Sequence, residues 1–320
     1  MFVGASGSCR RGAPLIVARI ITRPPGRFRR PFFDRIRQSV IFIANEFFGY
    51  NEISPSVYGG GWILHCKNFP QEEADMYKIY LSTMLLFLLP SLSVTAAERF
   101  QTDVIKTSSG DVKITLIGHA SLIFSFNNKT FYVDPFSKLA DYGTLPKADV
   151  IVITHDHRDH LDPAAIGKIR TEGTKVILTE TAAKQLPGGI VMKNGDVQII
   201  EGVKIEAVPA YNIVHKRETG EPFHPRGVGN GYVMTFGDKR VYVAGDTENI
   251  PEMAGFKNID IAFLPMNLPY TMTPEMTADA ARMIQPKILY PYHYGSTDPS
   301  LLVSLLKDQK RIEVRIRKME

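Results

Sequence analysis

From about residue 100 onward the chain breaks into short apolar runs separated by turn formers. Residues 112–117 alternate apolar and polar side chains, 122–126 follow, Asn127-Asn128 makes a turn, and 130–133 return as a hairpin partner. Denser apolar runs at 150–153, 176–178, 203–208, 232–236, 241–244, 259–264 and 288–290 read as buried strands. Helix signals sit between several of them. Asp162-Pro163 caps and starts a helix over 164–169. Thr273-Pro274-Glu275 does the same for 278–284, which Gln285-Pro286 ends, and a third helix is predicted over 299–306. Strands outnumber helices, and the helices fall between strands that read as buried. The pattern predicts an α/β fold, two β-sheets packed face to face with helices outside, in one domain of about 220 residues. No internal repeat and no low-complexity tract is visible.

The start of the chain reads differently. Met76-Tyr77-Lys78, an apolar run over 79–89 and Ser93-Val94-Thr95-Ala96-Ala97 form a positive start, a short apolar core and a small-residue end. Those are the parts of a secretory signal peptide, here residues 76–97, with cleavage after Ala96 or Ala97. A signal peptide works at an N-terminus. The expectation is therefore that translation begins at Met76 and that residues 1–75 are upstream sequence from a mis-called start, disordered or poorly structured. The alternative is an uncleaved internal anchor behind a small basic domain. Export predicts a periplasmic or secreted protein with no stable membrane span after cleavage, and a working domain over 98–320.

Composition sharpens this division. The 320 residues are 44% hydrophobic and 22% charged, with a net charge of +5. That excludes collagen, low-complexity disorder and a polytopic membrane protein. Residues 1–75 carry ten Lys or Arg against six Asp or Glu; the remainder carry 28 against 27. The basicity thus belongs to the first quarter, and the near-neutral remainder offers no phosphate-binding stripe for a nucleic acid. Cys9 and Cys66 also fall in that quarter, so no thiol serves as nucleophile or metal ligand beyond residue 76.

Histidine carries the candidate chemistry. Seven of the eight histidines follow residue 100, three of them in His155-Asp156-His157-Arg158-Asp159-His160. This segment lies between the strand at 150–154 and the Asp162 helix start, a loop at a sheet edge. In extended geometry His155 and His157 point the same way, while Asp159 and His160 approach from the turn. Two pairs of ligands can then hold two divalent metal ions a few Å apart. Imidazole and carboxylate without sulfur suit Zn first, with Mn, Fe or Ni as alternatives. Further ligands are expected from other strand ends: Asp246 in Gly245-Asp246-Thr247, and His293 in Tyr292-His293-Tyr294-Gly295.

These motifs, together with Gly118-His119-Ala120-Ser121 and Asp134-Pro135-Phe136, resemble the metallo-β-lactamase superfamily. The branch is similar to the ascorbate-6-phosphate lactonase-like and N-acylphosphatidylethanolamine phospholipase D-like hydrolases. The resemblance spans about 112–295 and implies an αββα sandwich with a dinuclear centre at one edge. It implies that His155 and His157 hold a first metal and Asp159 and His160 a second, that Asp246 bridges them, and that His293 completes the second site. One departure stands out. Where many members carry a mid-domain histidine, this chain reads Val208-Pro209-Ala210-Tyr211-Asn212. His224 is the first choice to fill the gap and His215 the second; His119 either fills it or orients a ligand from behind. Asp134 is expected behind the ligands rather than among them.

Such a centre lowers the pKa of a shared water from about 15.7 toward about 7 and so yields hydroxide at neutral pH. Asp159 is a candidate proton acceptor as well as a ligand, with Tyr211 and Tyr294 as weaker candidates for assisting the leaving group. A flavo-diiron reductase would carry glutamate where His157 stands, and the larger RNA-processing nucleases need an inserted domain. The expected activity is hydrolysis of a small ester, lactone or phosphodiester. The competing reading is an exported metal-binding protein or sensor without turnover. The sequence leaves the oligomeric state open.

Overall fold

The computed structural model describes residues 54–58, 61–65 and 100–319, and the chain divides into two compact units, Met1–Ser93 and Val94–Glu320. In the first unit, β1 (Ser54–Tyr58) and β2 (Gly61–His65) pair antiparallel, with Tyr58 opposite Gly61. This hairpin falls in a stretch where the sequence gives no sustained strand periodicity. The signal-peptide reading of 76–97 lies outside the described residues.

The second unit is built from two seven-stranded sheets. Sheet I runs, in both sequence and space, β3 (Gln101–Thr107), β4 (Gly110–Gly118), β5 (Ser121–Phe126), β6 (Lys129–Val133), β7 (Val150–Val152), β8 (Lys175–Leu178) and β9 (Ile190–Val191). Sheet II runs β10 (Val197–Ile200), β11 (Val203–Ala210), β12 (Gly229–Phe236), β13 (Lys239–Val243), β14 (Ile261–Pro265), β15 (Ile288–Tyr292) and β16 (Glu313–Val314). In each sheet the first four strands are antiparallel and the remaining ones continue parallel. The second sheet thus repeats the plan of the first, a duplication the sequence does not reveal.

Period-two burial explains why these segments are strands. In β6, Phe131 and Val133 join the core between the sheets, while Tyr132 joins a second cluster on the outer face of sheet I. β7 divides the same way, Val150 and Val152 inward and Ile151 outward. Helix α1 (Pro163–Ile169) covers that outer face with Ala165, Ile166 and Ile169, and α2 (Glu180–Gln185) adds Ala182. Against sheet II, α3 (Pro274–Ile284) starts at Thr273, whose Oγ1 accepts from Met276 N, and buries Ala278, Ala281 and Ile284. A short α4 (Leu301–Leu305) follows β15. Between the sheets, the Phe236 ring lies 5.4 Å from Phe124 and 5.5 Å from both Phe126 and Phe131. The αββα layering expected from the sequence is the observed fold.

The core strands and both capped helices fall where the sequence puts them. The sequence misses β3, β9, β10, β16 and α2, and it draws α4 too long. The missed strands are edge strands or two-residue stubs with exposed positions, which lack the apolar density that marks a buried strand.

Candidate metal centre

Among the non-glycine residues with left-handed backbone, three end strands at one rim: His119 after β4 (φ 49°), Asp134 after β6 (φ 44°) and His293 after β15 (φ 44°). Such conformations cost about 1–3 kcal/mol each and persist where the surroundings fix them. Here main-chain hydrogen bonds do so. His119 N donates to Met319 O at 2.7 Å, and His293 N donates to His119 O at 2.8 Å. The strain turns three polar side chains off their strands and toward one rim.

The 155–160 loop after β7 is held by Asp134. Its Oδ1 accepts from Thr154 N at 2.8 Å, and its Oδ2 accepts from Thr154 Oγ1 at 2.6 Å. The same Oδ2 lies 2.8 Å from His160 Nδ1. Thr154 Oγ1, its proton committed to Asp134, can accept from His155 Nδ1 3.0 Å away. On the other side, His224 Nδ1 lies 2.6 Å from Asn212 Oδ1. With each Nδ1 facing an acceptor, His155, His160 and His224 all turn Nε2 toward the rim.

Gly245 delivers Asp246. Its φ is +67°, and a Cβ there would lie 3.0 Å from both Asn230 O and the Thr154 Cβ, so only glycine fits. Gly245 N donates to the buried Tyr292 hydroxyl at 2.8 Å.

Two groups of side chains result: His155, His157, His224 and Asp246 in one, His119, Asp159, His160 and His293 in the other. Within each, one donor atom per residue lies within 4.8 Å of all the others. Asp246 faces both groups. Its Oδ2 lies 3.3 Å from His224 Nε2 and 3.9 Å from His155 Nε2; its Oδ1 lies 3.3 Å from His160 Nε2 and 3.4 Å from His293 Nε2. His119 Nε2 lies 3.0 Å from Asp159 Oδ2. His119 thus belongs to the second group and does not fill the gap of the first.

His155 Nε2, His160 Nε2, His293 Nε2 and Asp246 Oδ1 are buried with no hydrogen-bond partner. An orphaned buried polar atom costs about 1–3 kcal/mol, and four converging at one place call for a ligand they share. Electrostatics agree. Burial, and then the neighbouring imidazoles, hold His155 and His157 below the usual histidine range, so they stay neutral. Burial opposes ionisation of Asp246, but His293 and His160 hold its carboxyl well down. Burial likewise opposes charge on His160, yet Asp246 and Asp134 drive its pKa well up. Neutral His155 and His157 beside an ionised, buried Asp246, and a His160 that the carboxylates pull toward the charged form, describe a pocket that attracts positive charge. The donor set, imidazole and carboxylate without thiolate, fits divalent transition metals.

Other candidates stand apart. His215 Nδ1 lies 2.8 Å from Glu248 Oε1, in neither group. The Tyr211 hydroxyl donates to Glu252 at 3.0 Å and that of Tyr294 to Arg317 O at 2.9 Å, so both are engaged away from the rim. Sequence reasoning missed Thr154, Asn212 and Glu248, which orient rather than ligate. The one available signal was position: Thr154 immediately precedes His155, Asn212 follows the strand end that lacks the mid-domain histidine, and Glu248 stands two residues past Asp246.

Residues 113–293 match the beta-lactamase superfamily domain. A UPF0173 metal-dependent hydrolase of Pelotomaculum thermopropionicum is 29% identical over 220 residues, which is 64% of this chain and 96% of that protein. A crystal structure of a Parabacteroides distasonis protein assigned as a metal-dependent hydrolase is 53% identical, with a TM-score of 0.66, and covers 69% of this chain and 100% of its own. The metallo-beta-lactamase fold protein YhfI of Bacillus subtilis shares the fold at 18% identity and a TM-score of 0.53, over 65% of this chain and 96% of its own. More than half of the sequence carries the superfamily's pattern on the superfamily's sandwich, and the chain belongs to the beta-lactamase superfamily, alongside proteins known as metal-dependent hydrolases.

Proposed function

We propose that the chain is a hydrolase with a dinuclear metal centre, zinc in the first instance, acting on a small ester, lactone or phosphodiester. The observation that carries this reading is Asp246, whose two oxygens each face one histidine group among unpartnered imidazole nitrogens. His155, His157 and His224 would hold one ion, Asp159, His160 and His293 the other, with Asp246 between them. Such a pair supplies a hydroxide nucleophile at neutral pH and positive charge for the developing oxyanion.

The chain's own groups do the rest. Asp134, Thr154 and Asn212 lock the imidazoles with Nε2 toward the rim. His119 braces Asp159 through Oδ2 and leaves Oδ1 available. The Asp159 side chain is 38% exposed where Asp246 is buried, so Oδ1 can take a proton from the reacting water and pass it to solvent. Burial opposes its ionisation, but the hydrogen bond from His119 and the nearby His293 and His160 imidazoles hold the carboxyl far below its ordinary range.

The signal-peptide reading of 76–97 supports an extracytoplasmic site of action, and mass spectrometry of the native N-terminus tests it. The function is tested by measuring metal content and screening the purified protein against lactones, phosphodiesters and p-nitrophenyl esters. Two ions per chain and turnover of one class are expected. A single tightly held ion with no turnover would instead mark a metal-binding protein.

A further inference from the structure

Large apolar side chains stand in solvent on two loops beside the centre. Ile213 is 46% exposed, Val214 67%, Leu268 44% and Tyr270 46%. The loops adjoin: Asn212 Nδ2 donates to Tyr270 O at 3.0 Å, and the Tyr270 ring meets the Phe223 ring edge-on at 5.1 Å. Asn212 is also the residue that orients His224, which ties this apolar lip to the metal groups.

The exposure is built in. The fully buried Glu248 carboxylate accepts the N–H groups of Ile213, Val214 and His215 at 2.8, 2.7 and 2.7 Å, and the Asn212 amide at 3.0 Å. A loop clamped through successive backbone amides cannot roll its apolar side chains inward. The base of the excursion is closed as well, by Asn212 N donating to His224 O at 2.9 Å. Next to Phe223 opens a small cavity of about 40 Å³ whose wall includes Phe223, Pro225 and Val228 together with His155, His157 and Asp246. Phe223 lines this cavity and meets the Tyr270 ring of the lip, so one side chain links the exposed apolar residues to the wall of the metal groups. Residues 216–221 beyond it are exposed and include Lys216, Arg217, Glu218 and Glu221. These charged residues border the lip on that side, and four apolar side chains suit a small organic group better than the roughly 800 Å² per partner of a stable protein interface.

We infer that the substrate carries an apolar substituent, an alkyl, acyl or aryl group, that lies along Phe223 and the lip of Ile213, Val214, Leu268 and Tyr270 while its hydrolysable group reaches the two histidine groups. This rests on the hydrolase reading above and narrows its substrate class.

The test is calorimetric binding of n-alkylphosphonates, methyl to octyl, to the full chain loaded with zinc. Affinity should rise by about two- to fourfold per methylene over the first several carbons. An Ile213→Ser/Val214→Ser double variant should flatten that slope. A Leu301→Ser/Val303→Ser control, which alters exposed apolar side chains on α4, should retain it. An affinity independent of chain length, or no binding by any phosphonate, overturns the inference. So does binding to phosphatidylcholine vesicles without a phosphonate slope, which would assign the lip to a lipid surface. A steep slope in a protein that hydrolyses nothing on the ester, lactone and phosphodiester panel would refute the hydrolase reading and leave the apolar site standing.

Discussion

Asp134 and His160 meet with Oδ2 2.8 Å from Nδ1, both side chains wholly buried, at the ends of two neighbouring strands. The same carboxylate takes both the N–H and the hydroxyl of Thr154, so one side chain sets the loop's course and the imidazole's orientation. Carboxylates in this position typically contribute 10- to 100-fold to metal affinity. Asp134→Ala should therefore lower the affinity of the second group by about that factor, read by competition with a chromophoric chelator. Unchanged affinity would mean that His160 is held by the backbone alone.

Gly245→Ala tests the approach of β13 to the β7 loop. The new Cβ would sit at 3.0 Å from Asn230 O and from the Thr154 Cβ, on a backbone already at φ +67°. Backbone strain and overpacking together should cost about 1–3 kcal/mol or more. Melting temperature falls by roughly 2–4 °C per kcal/mol in a domain of this size, so differential scanning calorimetry would register it. An unshifted transition would show that the two segments separate freely.

Much of this architecture is legible in the sequence, for a definable reason. β7 and the last three residues of β6 are buried on both faces, so these stretches are wholly apolar and the strands declare themselves. The ligand-type residues at 155–160, Asp246 and His293 are legible because each ends such a run. β3 is not legible. Its side chains alternate between exposed and half-buried, and it is fixed partly by Arg317 Nη2 donating to Asp103 at 2.9 Å from the far end of the chain. The duplication is hidden for another reason. Asp134 and Asp246 close the corresponding strands β6 and β13, yet one orients Thr154 and His160 while the other faces both histidine groups. Backbone plan repeats; side-chain duties do not. Asn212 and Glu248 escape notice because their work is hydrogen bonding to loops, which leaves no periodic trace.

Asp103 gives a pH prediction away from the centre. Burial alone would raise its carboxyl, but hydrogen bonds from Arg317 and Tyr290 and the charges of Arg317 and Arg315 hold it below its ordinary 3.8. A depressed carboxyl stabilises the fold at any pH above the unfolded-state value, and that contribution is lost as the pH falls through the lower folded-state value. Wild type should therefore melt above Asp103→Asn near neutrality, and the gap should close below pH 3.8. Thermal unfolding followed from pH 7 to pH 2 checks this; a gap constant over that range would exclude an ionic origin.

Asn212 joins three parts of the site. Its Oδ1 accepts from His224 N at 2.9 Å and faces His224 Nδ1 at 2.6 Å, while its Nδ2 donates to Glu248 Oε1 and to Tyr270 O, each at 3.0 Å. Asn212→Ala removes the acceptor that fixes the His224 tautomer and also unties the two loops. Asn212→Asp keeps the acceptor but loses the donor, and it sets a second carboxylate against Glu248. The alanine variant should lose roughly 10- to 100-fold in affinity for the ion held by His155, His157 and His224. The aspartate variant should keep more of that affinity but loosen residues 213–215, read as faster amide hydrogen exchange at Ile213 and Val214. Equal metal affinity in wild type and Asn212→Ala would show that His224 finds its orientation without this side chain, and the link between the loops and the metal groups would fall.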